Sequence, residues 1–329
     1  MREFDIVSLA NDRFLVIGRA GMDFYADPPG TRLQEALTFT AALGGSSANI
    51  AAGICRQGGQ AALVTSVSDD PVGEFCLHQL QSYGIETQYV SRVGGEARNS
   101  LAVVDTNGPA TQSVIYRNNA ADFQMTQDDI ARVDVSGFGG LVTTGTVLAS
   151  EPSRSATFAA FDKARAAGVP IIFDLDYRPY SWPDARTASE TYARMAEASD
   201  IIIGNDDEFG VLAENYDDGL AAARGLAQQG KTVVYKMGHR GAITLTKTGE
   251  TRTGIFKVDA LKPTGAGDAF MGGFLMALAR GEPLETAVLR GSAAAAIVVS
   301  KVGCAPAQPT TEELNQFIAE HPGASLPQE

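Results

Sequence analysis

Short apolar runs alternate along most of the chain with longer segments whose apolar residues recur at helical spacing. The short runs are rich in β-branched side chains and predict strands at 14–18, 61–67, 140–144, 170–175, 201–204 and 232–237. The longer segments predict helices at 49–57, 73–83, 153–167, 189–198, 217–229, 283–299 and 311–321. A final hairpin is predicted at 242–246 and 251–258. Together these elements are typical of a three-layer, doubly wound α/β fold with a mostly parallel sheet.

Two segments, 19–42 and 98–118, depart from this alternation. The first contains loosely alternating residues around the turn-rich sequence Asp27-Pro28-Pro29-Gly30, and the second contains a hairpin turn at Asn107-Gly108-Pro109. Both predict β structure inserted into the α/β core. Because the chain has no internal repeat, low-complexity tract or long linker, we expect a single domain over 1–329.

The segment 262–281 carries the strongest candidate for chemistry, since the turn at 265–268 feeds directly into an apolar helical pattern. Backbone N–H groups are left uncovered by the small residues Gly265, Ala266 and Gly267. At a helix start such groups have no intrahelical partner and suit a phosphoryl group. Asp268 could take a proton from an attacking hydroxyl. The alternative is a tight connection with Asp268 as an ordinary helix-start residue.

A second glycine turn, Gly44-Gly45-Ser46-Ser47, opens the first predicted helix. It allows a sugar to approach the backbone closely, and the amide of Asn49 can both donate and accept hydrogen bonds. The alternative is a simple loop-to-helix junction with Ser46 or Ser47 as the N-cap.

These two turns resemble the two signatures of the PfkB (ribokinase-like) carbohydrate kinases. TGAGDAF followed by GGFL is similar to the C-terminal signature, and GGSSANIAAGICRQGG at 44–59 is similar to the other. The resemblance covers nearly the whole chain and implies a ribokinase-like fold whose two β segments form a lid over the sugar. It implies an ATP-dependent sugar kinase, and a sugar pocket formed by Asp23, Gly44, Gly45 and Asn49.

The resemblance also implies a nucleotide side with Mg²⁺. Asn205-Asp206-Asp207-Glu208 fits the N-x-x-E motif of the family, which places Asn205 near the metal and lets Glu208 act on it through water. The residues implied in ATP binding are Asn205, Lys236, Gly238, Gly241, Thr264, Gly267 and Gly303. The alternatives are a capped helix start at 205–208 and a plain β-turn at 236–241.

Two arginines, Arg117 and Arg178, follow predicted strands. Each taken alone is typical of a solvated surface, but a pair facing one site could bind a carboxylate bidentately, which a neutral sugar does not need. The segment DLDYRP resembles the 5-dehydro-2-deoxygluconokinases, so the first expectation is phosphorylation of 5-dehydro-2-deoxy-D-gluconate at its 6-hydroxyl. The alternatives are 2-keto-3-deoxygluconate kinase, fructokinase, and a catalytically silent sugar- or nucleotide-binding protein.

A net charge of −13 disfavours nucleic acid and anionic membranes as partners. The three cysteines are far apart and predict reduced thiols in a cytoplasmic protein. The N-terminal sequence MREFDIVSLAND argues against a signal peptide. The exposed edges of a β lid favour a homodimer through the lid.

One departure from the family concerns a monovalent cation. Many members carry an Asp-Thr pair shortly before GAGD, and its Asp often belongs to a potassium site. Here the residues are Lys262-Pro263-Thr264, which makes K⁺ activation doubtful. The hypothesis is that the ammonium of Lys262 substitutes in part for the ion.

Overall fold

The computed structural model describes residues 9–107 and 112–324. The N-terminal segment 1–8 and the turn residues Gly108 and Pro109 lie outside the described residues, so the signal-peptide expectation and the predicted hairpin turn remain untested. Among the described helices, none has the length and apolar character needed to cross a bilayer.

The described strands are β1 (Arg13–Ile17), β2 (Gly21–Asp27), β3 (Thr38–Gly44), β4 (Gln60–Ser68), β5 (Val90–Val93), β6 (Leu101–Val104), β7 (Ser113–Tyr116), β8 (Gly140–Thr144), β9 (Ile171–Asp174), β10 (Ile201–Asn205), β11 (Thr232–Lys236), β12 (Ala242–Thr246) and β13 (Gly249–Thr253). The described α-helices are α1 (Ser46–Arg56), α2 (Pro71–Ser82), α3 (Gln127–Ala131), α4 (Ser153–Ala166), α5 (Ala185–Ala198), α6 (Asp206–Leu212), α7 (Gly219–Gln228), α8 (Ala266–Ala279), α9 (Leu284–Val299) and α10 (Thr311–Glu320).

A nine-stranded sheet forms the centre of the molecule, in the order β13-β12-β11-β10-β9-β8-β1-β4-β5. The seven strands from β11 to β5 are parallel, and β12 runs antiparallel to both of its neighbours. This confirms the predicted mostly parallel sheet. The sequence pattern missed β5 and α3, which are short, and it offered α6 only as the alternative of a capped helix start at 205–208. The last hairpin strand ends at Thr253 rather than at 258.

Helices cover both faces of this sheet because side chains alternate along each strand. On β1, Leu15 and Ile17 pack into one core with side chains of α4, α5 and α7. Phe14 and Val16 point the other way, into a second core with α1, α2, α8 and α9. The two cores confirm the predicted three-layer α/β fold.

The inserted segments form a separate four-stranded sheet in the order β3-β2-β6-β7. Strand β2 pairs antiparallel with β3 and parallel with β6, and β6 pairs antiparallel with β7. One face of this small sheet is turned towards the ends of the central strands, since Asp23 and Ile115 line the cavity found there.

Helices α1 and α8 cross at a pair of glycines. A Cβ atom added to Gly272 would lie 3.0 Å from the Cα of Gly53, so the two backbones approach more closely than larger residues would allow. This crossing brings the first turns of both helices to the same place, although they are more than 200 residues apart in the chain.

Candidate active site

A cavity of about 650 Å³ lies beyond the carboxyl ends of the central strands, where ligands bind in open parallel sheets. Its wall contains most of the residues that the sequence predicts to be functional, namely Asp23, Gly45, Asn49, Arg117, Arg178, Asn205, Glu208, Lys236, Gly238, Gly241, Thr264, Gly265, Ala266, Gly267 and Asp268. Gly44 and Gly303 are outside this wall. The structure therefore gathers residues from both sheets around one space.

The start of α8 leaves its first N–H groups without side-chain partners. Gly265 is the N-cap, its φ of 85° is in the left-handed region that favours glycine, and no side chain caps the helix. The N–H groups of Ala266 and Gly267 therefore line the cavity with the positive end of the helix dipole. This geometry suits an anion such as a phosphoryl group.

Asp268 is held by two side chains from the start of α1. Ser46 Oγ donates a 2.6 Å hydrogen bond to Oδ1 of Asp268, and Asn49 Nδ2 donates a 2.8 Å bond to Oδ2. Burial raises the pKa of Asp268 to about 6, and the charge of Asp176 adds to the rise, while the bonds from Ser46 and Asn49 oppose it. A carboxylate with a pKa near neutrality is suited to act as a general base.

The alternative that Ser46 or Ser47 caps the helix after the Gly44-Gly45 turn is wrong. Gly45 is the N-cap of α1, with a φ of 98°, and neither serine caps the helix. Instead, Ser46 binds Asp268, and Ser47 donates to the carbonyl of Ile17. Gly45 is packed against the carbonyl of Arg19, where a Cβ atom would collide.

Gly44 serves the cavity indirectly. A Cβ atom at Gly44 would collide with the carboxyl group of Asp23, so the glycine makes room for that side chain. Asp23 is buried, and its Oδ1 has no hydrogen-bond partner among the described residues. Oδ1 of Asn49 is likewise buried without a partner. Both are acceptors that ligand hydroxyl groups could satisfy.

The two predicted arginines are in the wall of the cavity, but they differ in how many of their N–H groups are already bound and in how exposed they are. Arg117 donates from Nε and Nη2 to Asp122 and from Nη1 to the carbonyl of Thr146, so three of its five N–H groups are engaged. Arg178 forms an ion pair with Asp176 at 2.8 Å, and its side chain is 46% exposed. The surface alternative is therefore wrong for Arg117, whose side chain is only 7% exposed.

Acidic side chains line the part of the cavity in which the sequence predicts ATP to bind. Both side-chain oxygens of Glu208 accept backbone N–H groups, from Asn205 at 2.7 Å and from Tyr177 at 3.2 Å. Asn205 also caps α6, so the capping alternative holds for this pair. Asp174, at the end of β9, is buried, and burial raises its pKa to about 7. The Nζ of Lys236 lies 4.0 Å from Oδ1 of Asp174.

Lys262 is buried next to the turn that precedes α8. Its Nζ donates to the carbonyl of Thr264 at 2.6 Å and to that of Val298 at 3.4 Å, and it lies 3.8 Å from the Sγ of Cys304. The side chain is 1% exposed, and among the described residues no carboxylate forms an ion pair with it. Thus a fixed ammonium group binds the backbone carbonyls of this loop.

Sequence reasoning gave no role in this site to Arg19, Ser46 or Asp176, and it placed Asp174 only at a strand end on the ligand side. Asp174 and Asp176 stand at the end of a predicted strand, and this position was a usable signal. Nothing in the local sequence distinguishes Ser46 from Ser47, because their roles depend on contacts with distant residues.

Uncapped N–H groups beside a carboxyl group with a raised pKa suit this cavity to phosphoryl transfer. The sequence profile described as pfkB family carbohydrate kinase matches residues 11–311, and the chain belongs to that family.

Among curated relatives, proteins named 5-dehydro-2-deoxygluconokinase are similar to it. The one from Geobacillus thermodenitrificans is 38% identical over 320 residues, covering 95% of each chain, and that from Photobacterium profundum is 37% identical over 321 residues, covering 95% of this chain and 97% of its own.

Solved structures agree with this assignment. A fructokinase double mutant from Vibrio cholerae, solved with fructose, ADP and a potassium ion, is 26% identical with a TM-score of 0.82, and the match covers 96% of this chain and 99% of that one. An aminoimidazole riboside kinase from Salmonella enterica, complexed with its riboside and an ATP analogue, is 25% identical with a TM-score of 0.77, covering 93% and 99%. The protein is an ATP-dependent carbohydrate kinase with a ribokinase-like fold.

Proposed function

We propose that the protein transfers the γ-phosphoryl group of ATP to a primary hydroxyl of a keto-deoxy sugar acid, with 5-dehydro-2-deoxy-D-gluconate as the first candidate and its 6-phosphate as the product. The observation that carries this proposal is the name shared by relatives that are 36–38% identical over more than 90% of the chain. Guanidinium groups in the wall of the cavity support an acidic substrate.

In the proposed reaction, Asp268 accepts the proton of the sugar hydroxyl. The resulting oxygen attacks the γ-phosphorus as the bond to the leaving ADP oxygen breaks. The N–H groups of Gly265, Ala266 and Gly267 stabilise the charge on the transferred group, so catalysis comes from positioning and fixed dipoles. We propose that Asp23, Gly45, Asn49, Arg117 and Arg178 bind the sugar acid.

Mg²⁺ supplies charge neutralisation at the phosphates when it is bound with ATP. The residues fit this ion: Asp174 and Glu208 are carboxylates facing the cavity, and a Cβ atom at Gly267 would lie 3.9 Å from Oδ2 of Asp174. Among the described residues, no three His, Cys, Asp or Glu side chains form a metal cage. Such a set suits Mg²⁺, which keeps most of its waters and binds through one or two carboxylates and the phosphates. We propose that Glu208 acts through water, and that Asn205 lies beside the ion.

The other predicted nucleotide ligands remain proposals. We propose that ATP binds along Asn205, Lys236, Gly238, Gly241, Thr264 and Gly267. Gly303 is packed against Pro306 rather than lining the cavity, so its proposed contribution is to the shape of the loop.

A potassium site does not fit this chain. The carbonyl of Thr264, which could coordinate such an ion, already accepts a hydrogen bond from the ammonium of Lys262. A lysine cannot serve as a cation ligand while protonated. We propose that the ammonium of Lys262 substitutes in part for the ion, and that activity does not depend on K⁺.

We also propose a homodimer formed through the four-stranded lid, in the cytoplasm. On β7, Ile115 faces the cavity whereas Val114 and Tyr116 point outwards and are 48% and 60% exposed. Phe39 on β3 and the adjoining Leu37 add exposed apolar surface. Sedimentation of the wild type and of a Val114→Asp/Tyr116→Asp variant tests this, since a dimer should become a monomer. The cytoplasmic location is supported by three free cysteines.

The decisive experiment is a coupled ADP-release assay with Mg-ATP on three substrates side by side. Turnover concentrated on 5-dehydro-2-deoxygluconate supports the proposal. A preference for 2-keto-3-deoxygluconate would make that sugar acid the substrate. A preference for fructose would overturn the proposal that the substrate is an acid. Absence of turnover on all three, with ATP still bound, favours the silent binding protein.

A further inference from the structure

Arg19 is a buried cation without a carboxylate partner in the wall of the cavity. Its residue is 8% exposed, and the one hydrogen bond from its side chain runs from Nη1 to Ser100 Oγ at 2.7 Å. Among the described residues, four of the five guanidinium N–H groups have no hydrogen-bond acceptor, and no carboxylate forms an ion pair with Arg19. Burying a charge in this way is costly unless a ligand supplies the opposite charge.

The backbone around Arg19 is fixed on both sides. The carbonyl of Arg19 accepts the N–H of Ala48 at 3.2 Å, and the N–H of Gly18 donates to Val64 at 3.1 Å. The amide of Asn99 donates to the carbonyl of Ala20 at 3.3 Å. The backbone of Arg19 is therefore held in place, and the bond from Nη1 to Ser100 orients the guanidinium, which reduces the entropy lost when a ligand binds.

Gly21 provides the space that the guanidinium occupies. A Cβ atom at Gly21 would lie 2.7 Å from Nη1 of Arg19 and 2.8 Å from Ser100 Oγ. Residues 21 and 23 share one face of β2, because side chains alternate along a strand. The Arg19 guanidinium thus lies on the same face as Asp23, which lines the cavity.

The other arginines of the described wall are compensated. Arg117 is bound to Asp122 and Arg178 to Asp176. Asp23 is close enough for the positive charge of Arg19 to oppose the rise in its pKa that burial causes, yet the two side chains form no ion pair. The charge of Arg19 also lowers the pKa of the Cys76 thiol, but burial outweighs it and raises that pKa to about 12, so Cys76 supplies no negative charge at neutral pH.

We propose that Arg19 binds the carboxylate of the substrate and is the residue that selects sugar acids over neutral sugars. The inference rests on the proposed function, which it deepens. The unpartnered oxygens of Asp23 and Asn49 then accept hydroxyl groups of the same ligand, so acid and hydroxyls are recognised by different side chains.

The test compares a keto-deoxy sugar acid with its neutral methyl ester in the wild type and in Arg19→Gln. The wild type should prefer the acid, and Arg19→Gln should lose roughly 10- to 100-fold in kcat/KM for the acid, through the KM of the sugar, while the KM of ATP stays unchanged. The ester should be affected little, so the preference collapses. Arg19→Lys keeps the charge but not the planar fork and should lie between the two.

Three further variants separate selectivity from a structural role. Arg154→Gln changes an arginine that binds backbone carbonyls of Leu148 and Ala149 outside the cavity wall, and it should leave the preference intact. Ser100→Ala, which removes the one bond that orients Arg19, should weaken the preference even if Arg19→Gln fails to fold. Gly21→Ala should do the same by displacing the guanidinium.

The two proposals fail in different ways. If the wild type does not prefer the acid to its ester, the acidic substrate is overturned before any variant is made, and the role of Arg19 falls with it. If the wild type prefers the acid and Arg19→Gln keeps that preference, only the role of Arg19 is overturned. The role of Arg19 is also overturned if Arg117→Gln or Arg178→Gln loses the preference for the acid and Arg19→Gln does not.

Discussion

The hydroxyl of Ser46 donates a 2.6 Å hydrogen bond to Oδ1 of Asp268, whereas the hydroxyl of the next residue, Ser47, is turned away and binds the carbonyl of Ile17. The two serines therefore form a matched pair: Ser46 binds the proposed general base, Asp268, and Ser47 does not bind it. This difference makes the role of Asp268 measurable through the pH dependence of the reaction.

We expect kcat of the wild type to fall with decreasing pH below about 6, because protonation of Asp268 removes the base. The bond from Ser46 favours the carboxylate, so Ser46→Ala should raise the pKa of Asp268 and move the acid limb of the pH–rate profile to higher pH. Ser47→Ala should leave the limb in place. Equal shifts in both variants would show that the limb does not report Asp268.

Asp268→Asn should lower kcat by about 10²- to 10⁴-fold, the usual contribution of a general base, while ATP binding measured by calorimetry persists. The folded-state pKa of Asp268 is raised, so the ionised carboxylate lowers the free energy of unfolding above about pH 6 but not in acid, where the group is protonated. The variant should therefore melt roughly a few degrees higher than the wild type at pH 8, and this gain should shrink towards pH 4. An unchanged rate would favour the silent binding protein.

Replacement of Lys262 tests the built-in cation. The wild-type rate should be the same in potassium, sodium and tetramethylammonium chloride, whereas Lys262→Met should lose at least about tenfold in kcat/KM and recover part of it in K⁺. Lys231→Met is the matched control, because Lys231 also donates to two carbonyls, those of Glu197 and Ser199, away from the cavity. A wild type that requires K⁺ contradicts the proposal.

Arg117→Gln should destabilise the fold. The Arg117 and Asp122 side chains are 7% and 1% exposed, so losing the arginine leaves a buried carboxylate uncompensated, at a cost of about 3–5 kcal/mol in the free energy of unfolding. The exposed pair of Arg224 and Glu250 provides the comparison, and Arg224→Gln should cost less than about 1 kcal/mol. Urea denaturation of both variants measures the difference, and equal losses would refute a buried ion pair.

Most of the central sheet could be predicted from sequence, because strands such as Gly140–Thr144 are short buried runs rich in β-branched residues, and in the helices between strands the apolar residues recur at helical spacing. Asp268 and the turn before it could be identified because the chemistry lies within four consecutive residues. The role of Asn49 could not, since its amide acts on Asp268, 219 residues away.

The roles of the arginines also depend on contacts that could not be predicted from the sequence. Arg117 and Arg178 drew attention by following strands, but sequence alone could not show that Asp122 already engages Arg117. Arg19 was overlooked because the sequence pattern placed it at the start of the inserted β segment 19–42, away from the turns that suggested chemistry. Its significance depends on burial, on the missing partner and on the space above Gly21, all of which are tertiary properties.

The crossing of α1 and α8 at Gly53 and Gly272 has a consequence for the folding of the newly made chain. Ser46 and Asn49 leave the ribosome more than 200 residues before Asp268, and the contacts between them close one of the longest loops in the chain. Contacts of such sequence separation form late, because the entropy of loop closure opposes them until the intervening sheet is in place. Catalytic competence should thus be among the last properties a newly made chain acquires, well after most of its secondary structure.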